Sequence, residues 1–331
     1  MTDQLRWGIL GPGYIATKQT AALQAAGLRV TAVGSRSMAS AQKFAERFGL
    51  AQAHGSYADL VTDPEVDIVY IATPHSKHYE HAKMALLAGK HVLLEKAFTV
   101  TGDQAALLVA LAAERQLVLL EAMWTRHLPH MVRLREILAA GTIGAVRTVI
   151  ADHNQSLPVE PEHRLNDPLL AGGALLDLGI YPVSFAFDVL GAPASVQATA
   201  SFTATGVDRQ TSIVLGYENG AQALLQCALD TVGPNTASVI GTAGWVEIDR
   251  VWYAPTGLTV YELDGSVIER FNGKSDSNGM QFQAFELESL VRAGRVAGDV
   301  MPPDQSVQIM RVLDTIRAQI GLDYPGVILA T

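Results

Sequence analysis

The N-terminal segment joins a short apolar run to a glycine-rich turn. Residues 5–10 are apolar, Gly11-Pro12-Gly13-Tyr14-Ile15-Ala16 follows at once, and an amphipathic stretch continues to residue 26. This order predicts a strand, a tight turn and a helix. Glycines let the backbone approach a pyrophosphate, and the helix N-terminus favours negative charge. An ordinary strand-to-helix turn is the alternative, but the flanking elements favour a dinucleotide site that includes residues 11–15.

The end of the next predicted strand, residues 28–34, bears on the choice of dinucleotide. It carries Ser35-Arg36-Ser37, where an NAD enzyme typically has a carboxylate for the ribose 2′-hydroxyl. Arg36 can pair with a 2′-phosphate, and Ser35 and Ser37 can donate to it, so NADP is expected in preference to NAD. A solvated surface arginine is the alternative.

Two more predicted strands end in polar residues. Residues 67–72 lead into Thr73-Pro74-His75-Ser76-Lys77-His78, and residues 91–94 lead into Glu95-Lys96-Ala97. Ligands of open parallel sheets bind beyond such carboxyl ends, so cofactor contacts are expected from Thr73, Pro74, His75, His78, Glu95 and Lys96. Lys96 is also a catalytic candidate, with a solvated edge charge as the alternative. The histidines lack metal-ligand spacing, and no metal is expected.

The pattern of elements changes near residues 123–126. Strands and helices alternate before this point, whereas closely spaced strands with hairpin turns dominate after it. The fold class predicted is α/β, with an N-terminal Rossmann domain over residues 1–122. Residues 123–331 are expected to form an α+β domain with an open, mostly antiparallel sheet. Trp124 at this boundary is either part of a core or the wall of a pocket.

Residues 175–190 predict a buried helix with a polar stripe. Asp177, Tyr181, Ser184 and Asp188 recur at helical spacing among Leu, Ile, Val and Phe. A buried carboxylate is costly unless paired, so Asp177 is expected to face a compensating partner or a solvated cleft. By itself this stripe favours a structural aspartate and a satisfied tyrosine hydroxyl; a catalytic pair is the alternative.

Composition restricts the class of partner. The chain has 331 residues, enough for two domains, and 24 basic against 33 acidic residues give a net charge of −9. Nucleic acid and anionic membranes would demand a basic face, so neither is expected as a partner. The start of the chain lacks a signal-peptide pattern and Cys227 is the only cysteine. A cytoplasmic location is therefore expected.

Taken together, these motifs resemble the glucose-fructose oxidoreductase/inositol dehydrogenase (Gfo/Idh/MocA) family nearly end to end. Three longer motifs resemble its branch of dimeric dihydrodiol dehydrogenases and NADP D-xylose dehydrogenases. They are Glu121-Ala-Met-Trp-Thr-Arg126, Gly173-Ala-Leu-Leu-Asp-Leu-Gly-Ile-Tyr-Pro182 and Asn235-Thr-Ala-Ser-Val-Ile-Gly-Thr-Ala-Gly244. The resemblance implies a Rossmann domain, NADP, and a homodimer through the C-terminal sheet, with a tetramer as a further possibility.

The resemblance also implies roles for individual residues. Lys96 matches the family's catalytic lysine and Asp177 its aspartate, while Tyr181 matches the acid/base tyrosine of the branch. Where the family has Glu-Lys-Pro, this chain has Glu95-Lys96-Ala97. Trp124 and Arg126 are expected to contact the cofactor. The substrate, a sugar, polyol or cyclic diol, is expected to contact Lys96, Trp124, His153, Asp177, Tyr181 and Phe282.

Three functions are compatible with these motifs. The favoured one is an NADP-dependent oxidoreductase in which Tyr181 exchanges the hydroxyl proton and the Lys96 ammonium favours its phenolate form. A non-catalytic dinucleotide or sugar sensor of the same fold is a second, because fold does not dictate function. A transhydrogenase-like enzyme that retains its cofactor is a third.

Overall fold

A computed structural model of the protein describes residues 4–275 and 277–326. The chain divides into two compact units. Among the described residues, the first contains those up to Trp124 together with Met280–Val307, and the second contains Thr125–Gly279 together with residues 308–326. The predicted division placed the boundary two residues earlier, after residue 122, and it assigned residues 280–307 to the second domain. The predicted outer ends of the domains, residues 1 and 331, lie outside the described residues.

The first unit contains a six-stranded parallel sheet. Its strands are β1 (Arg6–Leu10), β2 (Arg29–Gly34), β3 (Gln52–His54), β4 (Ile68–Ile71), β5 (His91–Leu94) and β6 (Leu119–Glu121), in the order β3-β2-β1-β4-β5-β6. This order is that of a Rossmann fold, and it confirms the predicted class. Every residue of β4 is buried, as expected of a parallel strand covered on both faces. Strand β3 was not predicted, since three residues carry too little periodicity.

Helices connect the parallel strands. They are α1 (Tyr14–Ala25), α2 (Met38–Phe48), α3 (Tyr57–Thr62), α4 (His78–Leu87) and α5 (Gly102–Glu114). Serine or threonine side chains cap three of them: Ser37 accepts from Ser40 N at the start of α2, and Ser56 and Thr101 do the same for α3 and α5. The N-cap residue of α1 is Gly13, which has no side chain that could accept a hydrogen bond.

The second unit contains an eight-stranded sheet. Its strands are β7 (Val146–Asn154), β8 (Ser195–Phe202), β9 (Asp208–Gly216), β10 (Gln222–Ala228), β11 (Ala237–Gly241), β12 (Gly244–Ile248), β13 (Gly257–Glu262) and β14 (Val267–Asn272). The order is β14-β13-β12-β11-β7-β10-β9-β8, and all pairs are antiparallel except β7 with β10. The predicted open, mostly antiparallel sheet is thereby confirmed.

One face of this sheet carries the predicted buried helix. After α6 (Pro129–Ala139), the chain forms a π-helical segment at Leu175–Gly179 that continues directly into α7 (Ile180–Leu190). The prediction treated residues 175–190 as one α-helix, whereas the turn that contains Asp177 is wider. Such π-turns are often found at functional sites. Both segments pack on β7 and β10.

Two helices complete the described fold, α8 (Gln281–Arg292) and α9 (Pro303–Ile320). Helix α8 belongs to the first unit, where the Trp7 indole donates to Glu288 Oε1 at 2.9 Å. Helix α8 also packs on α1 and β5, so a C-terminal helix groups with the Rossmann sheet. Among the described residues one segment, Pro168–Leu190, is long and apolar enough to cross a membrane, but it is 89% buried, as in the core helix of a globular protein.

Candidate functional site

The glycine turn between β1 and α1 is crowded on one side and open on the other. Gly11 has φ +92, and its N–H donates to Gly34 O at 3.0 Å. A Cβ at residue 11 would lie 3.2 Å from Ala72 O, whereas one at Gly13 would meet nothing within 4 Å. The start of α1 therefore presents uncapped N–H groups beside open space. This arrangement fits a pyrophosphate, which the helix N-terminus would hold through backbone donors.

The residues after β2 differ in their exposure. Ser35 is buried, and its Oγ accepts from Ser37 N at 3.3 Å; the Ser37 hydroxyl in turn caps α2. Arg36 is exposed at the strand end, and its charge contributes to lowering the pKa of His81, where burial is the larger cause. An exposed guanidinium at this edge can bind a 2′-phosphate. The predicted residues are thus together at the carboxyl ends of β1 and β2.

His78 connects the loop after β4 to the turn after β5. Its ring nitrogens lie 2.8 Å from Thr73 O and 2.8 Å from Ala97 O, and the side chain has no exposed surface. Burial lowers the pKa of His78 to about 3, so the ring is neutral and donates only one of these bonds. His75 is also buried and lies edge-on to it. These positions favour a supporting role for both histidines; the predicted cofactor contacts stay predictions.

The turn after β5 brings the predicted lysine to the same sheet edge. Glu95 is buried and accepts from the Tyr70 hydroxyl at 2.5 Å, and the half-buried Lys96 follows. The peptide bond between Lys96 and Ala97 is cis. Strand β6 ends in Glu121, which is 1% exposed and accepts from Phe98 N at 3.2 Å. The catalytic candidate of the first unit is therefore flanked by Glu95 and Phe98, which both make buried hydrogen bonds.

In the second unit, Asp177 has the compensating partner that its burial required. Arg164 donates to Asp177 Oδ1 from two guanidinium nitrogens, at 3.1 and 3.2 Å. Asp177 is 6% exposed, whereas the Arg164 side chain is 48% exposed. The sequence by itself did not identify Arg164 as this partner, because the two residues are 13 positions apart and Arg164 lies outside the helix. The structure makes it the ion-pair partner of a site residue.

Aromatic rings surround Tyr181. His153 stacks on Tyr253 with ring centres 3.7 Å apart and meets Tyr181 edge-on at 4.8 Å. Gln155 Nε2 lies 2.8 Å from His153 Nε2. Burial raises the pKa of Tyr253 to about 12, and the neighbouring Tyr181 contributes to the rise. Tyr253 is therefore a neutral hydroxyl at neutral pH. Sequence reasoning missed it, although an aromatic pair in the loop after β12 was a signal.

Arg126 contacts the C-terminal part of α7. Its guanidinium donates to Ser184 Oγ at 2.9 Å and to Ser184 O at 2.6 Å, and it lies 3.9 Å from Asp188. Arg135 also pairs with Asp188, at 2.8 Å. Arg126 and Arg135 thus bind the two residues of the polar stripe that lie furthest along α7, Ser184 and Asp188. These bonds give Arg126 a structural role in the second unit, and its predicted cofactor contact stays a prediction.

The remaining predicted residues lie in the first unit. Trp124 is half-buried just after β6, and Phe282 lies on α8 with its ring centre 6.3 Å from that of Phe285. The structure thus groups the predicted residues into two sets, one at the ends of the parallel strands and one around α7. In the described part of the chain, no group of three His, Cys, Asp or Glu side chains could hold a metal ion.

Comparison with known proteins agrees with this architecture. Residues 5–123 match the oxidoreductase family with the NAD-binding Rossmann fold, and residues 131–247 match the GFO/IDH/MocA C-terminal domain. The chain is 36% identical over 330 residues to trans-1,2-dihydrobenzene-1,2-diol dehydrogenase of Mus musculus, covering 97% of this chain and 98% of that protein. The chain belongs to the Gfo/Idh/MocA oxidoreductase family.

Two further members of the family show the range of named activities. The NADP(+) D-xylose 1-dehydrogenase of Hypocrea jecorina is 34% identical, covering 98% of this chain and 94% of that protein. A 3-ketoreductase from Actinomadura kijaniata, solved with NADP and TDP-benzene, superposes with a TM-score of 0.85 at 28% identity, covering 96% of this chain and 98% of the other. The two matched family regions contain Lys96, Asp177 and Tyr181, but Tyr253 and Phe282 lie outside both.

Proposed function

We propose that the protein transfers hydride between NADP and the CH–OH carbon of a sugar or cyclic diol, with Tyr181 as the acid/base. The chain is an oxidoreductase, and its relatives include a dihydrobenzenediol dehydrogenase, an NADP(+) D-xylose 1-dehydrogenase and a 3-ketoreductase solved with NADP. The observation that carries the assignment of residues is the pair on one buried helix, in which Asp177 is held by Arg164 and Tyr181 is enclosed by His153 and Tyr253.

The proton is handled by Tyr181. During oxidation its phenolate takes the proton from the substrate hydroxyl, and during reduction its phenol returns a proton to the carbonyl oxygen. The nicotinamide, when bound, accepts or supplies the hydride. The Lys96 ammonium, at the end of β5, is assigned the role of favouring the phenolate form. Asp177, fixed by Arg164, accepts a hydrogen bond from a substrate hydroxyl and so orients it.

The aromatic residues suggest how the ring of a substrate is held. Tyr253 and His153 form a stacked pair beside Tyr181, and such a wall suits either the C–H face of a pyranose or the ring of a cyclic diol. The neutral Tyr253 hydroxyl and the side chain of Gln155 add polar groups at its edge. The proposed substrate class is therefore a cyclic compound with adjacent hydroxyls.

Steady-state assays with NADP and with NADPH, followed at the NADPH absorbance band, test the proposal. The panel comprises pentoses, hexoses and cyclic diols, with the corresponding ketones and lactones for the reverse direction. We expect turnover by the native protein and a 10²- to 10⁴-fold loss of kcat in Tyr181→Phe, which keeps the ring but removes the proton acceptor. NADP should bind both proteins equally in a fluorescence titration.

The alternatives give different results in the same experiment. A sensor would bind NADP tightly and turn over none of the substrates. A transhydrogenase-like enzyme would be purified with NADP bound and would reduce one sugar at the expense of another without added cofactor. Normal turnover by Tyr181→Phe would contradict the acid/base assignment while leaving the reaction class intact.

We also propose that the protein is a homodimer through the open face of its C-terminal sheet. Ile150, Val214 and Leu224 are large apolar residues on this face that remain 42%, 39% and 41% exposed. They line a shallow groove across β7–β10, and exposed apolar patches of this kind are typical of interfaces. Sedimentation should find a dimer that Leu224→Arg dissociates. Val267→Arg, at a 43% exposed site on the edge strand β14, is the matched control; a native monomer at micromolar concentration would contradict the proposal.

A further inference from the structure

The helix that carries Asp177 and Tyr181 begins without a local cap. Residues 171–173 are Ala-Gly-Gly, and Ala174 at the helix start makes no side-chain cap bond. Ala174 and Leu175 have no exposed surface, so water cannot reach their N–H groups. A helix start leaves about four such donors unsatisfied, and burying them without acceptors is costly.

Asp208, at the start of β9, supplies the missing acceptor. Its Oδ2 accepts from Leu175 N at 2.8 Å, and the carboxylate also interacts with the N–H of Ala174. Thr211 donates its hydroxyl to the same oxygen at 2.7 Å, which fixes the orientation of the carboxylate. The helix is therefore capped by a residue 33 positions further along the chain.

The carboxylate of Asp208 lies so close to Gly173, just before the helix, that only glycine fits there. Gly173 has φ +111, and a Cβ at this position would lie 2.1 Å from Asp208 Oδ1. The preceding residue is held as well, because Tyr324 donates its hydroxyl to Gly172 O at 2.7 Å. Gly173 N donates to Leu165 O at 2.8 Å, next to the arginine that pairs with Asp177. The same turn thus connects the cap, the helix and Arg164.

Burying a carboxylate at this position costs stability, because the charge is removed from water. Asp208 is fully buried, and burial raises its pKa to about 6 in spite of the hydrogen bonds that it accepts. A neutral serine or asparagine would avoid burying a charge but has only one acceptor oxygen, whereas the carboxylate has two. The π-turn containing Asp177 begins at the very N–H that Asp208 holds.

We propose that Asp208 is a positioning residue for the reaction, which holds the start of the π-turn and so determines where Asp177 and Tyr181 present their side chains. The inference rests on the proposed roles of those two residues. Asp208 touches neither substrate nor cofactor in this scheme; it acts through the helix. A displacement of about 1 Å in reacting groups can cost about 100-fold in rate.

The test compares Asp208→Asn with the native protein and with a matched control. Asparagine keeps the shape and one acceptor oxygen but replaces the second oxygen with a donor. Asp264→Asn is the control, since Asp264 also accepts a backbone N–H, from Ser266, but in the turn between β13 and β14. For each variant we would measure kcat and KM at saturating NADP, the Kd of NADP, and the thermal midpoint.

We expect Asp208→Asn to lower kcat by about 10- to 100-fold while NADP affinity stays within error of the native protein and the thermal midpoint shows that the variant is folded at the assay temperature. Asp264→Asn should leave all of these unchanged. Native kcat in a folded Asp208→Asn would overturn the inference, as would a kcat that falls only in proportion to the folded fraction. Tyr181→Phe separates the two proposals: if it is inactive while Asp208→Asn is normal, only the positioning role fails.

Discussion

The guanidinium of Arg164 lies 3.1 Å from Oδ1 of Asp177, and the two residues differ sharply in exposure. The carboxylate is held inside the protein by a partner that reaches it from solvent. An ion pair with one exposed member contributes little to stability, because water screens it, but it restricts the orientation of the buried member. Substitution of Arg164 should therefore affect catalysis and folding to different extents.

Arg164→Gln should therefore lower activity more than stability. The substitution removes the charged side chain that orients Asp177. We expect kcat/KM to fall roughly 10-fold while the free energy of unfolding changes by less than about 1 kcal/mol. Arg209→Gln is the matched control, because the Arg209 side chain is 45% exposed and pairs with Asp230 at 3.4 Å in the same unit. Equal kinetic effects in both variants would show that the Asp177 pair has no special role.

Arg36→Asp should reverse the cofactor preference. The substitution removes the charge that can bind the 2′-phosphate and adds one that repels it, so NADP affinity should fall by about 10- to 100-fold while NAD affinity rises. Fluorescence titration of both dinucleotides measures this. Arg29→Asp, at the opposite end of the same strand, should have no effect. If the native protein bound NAD at least as tightly as NADP, the interpretation of Ser35-Arg36-Ser37 would be wrong.

Lys96→Met should change the pH profile as well as the rate. If the ammonium favours the phenolate of Tyr181, its removal raises the apparent pKa that limits oxidation at the acid side, towards the value of about 10 for a free tyrosine. The pH dependence of kcat reports this shift. Lys83→Met, which removes an exposed lysine on α4, should reproduce the native profile. A lower rate with an unmoved pKa would assign Lys96 to substrate binding instead.

The buried Asp208 should make stability depend on pH in a defined direction. Its pKa is about 6 in the folded protein against 3.8 as the unperturbed value, so the folded state binds more protons between these pH values. The contribution of Asp208 to the free energy of unfolding therefore falls as pH rises through this window, by a total of roughly 3 kcal/mol, and is constant above it. Cys227 and Tyr324 face Asp208, but burial raises both of their pKa values, so they stay neutral there.

Asp208→Asn has no such group to titrate. The thermal midpoint of Asp208→Asn minus that of the native protein should therefore increase as pH rises from 4 to 7. Above pH 7 this difference should stay constant. Thermal unfolding measured by circular dichroism at one-unit steps tests this. A difference that does not vary with pH would mean that Asp208 has an ordinary pKa in the folded protein.

Much of the fold followed from the sequence because its signals are local. The apolar run before Gly11, the alternation of strands and helices to residue 121, and the closely spaced strands after residue 195 each reflect the burial of nearby side chains. The glycine turn was predictable for the same reason, since positive φ at Gly11 is a requirement of the turn itself. The requirement that Asp177 have a partner could also be derived from its burial alone.

What the sequence could not supply were contacts between residues far apart in the chain. The pairing of Arg126 with Ser184, the approach of Tyr253 to Tyr181 and the capping of Leu175 by Asp208 span 58, 72 and 33 residues. Such contacts depend on which strands become neighbours, and the parallel pairing of β7 with β10 is decided only when the whole sheet assembles. The periodicity of the sequence determined which face of each element is buried, because burial requires only that the side chains be apolar. Tertiary packing decided which side chains meet there, because a hydrogen bond also requires a particular distance and angle between its two groups.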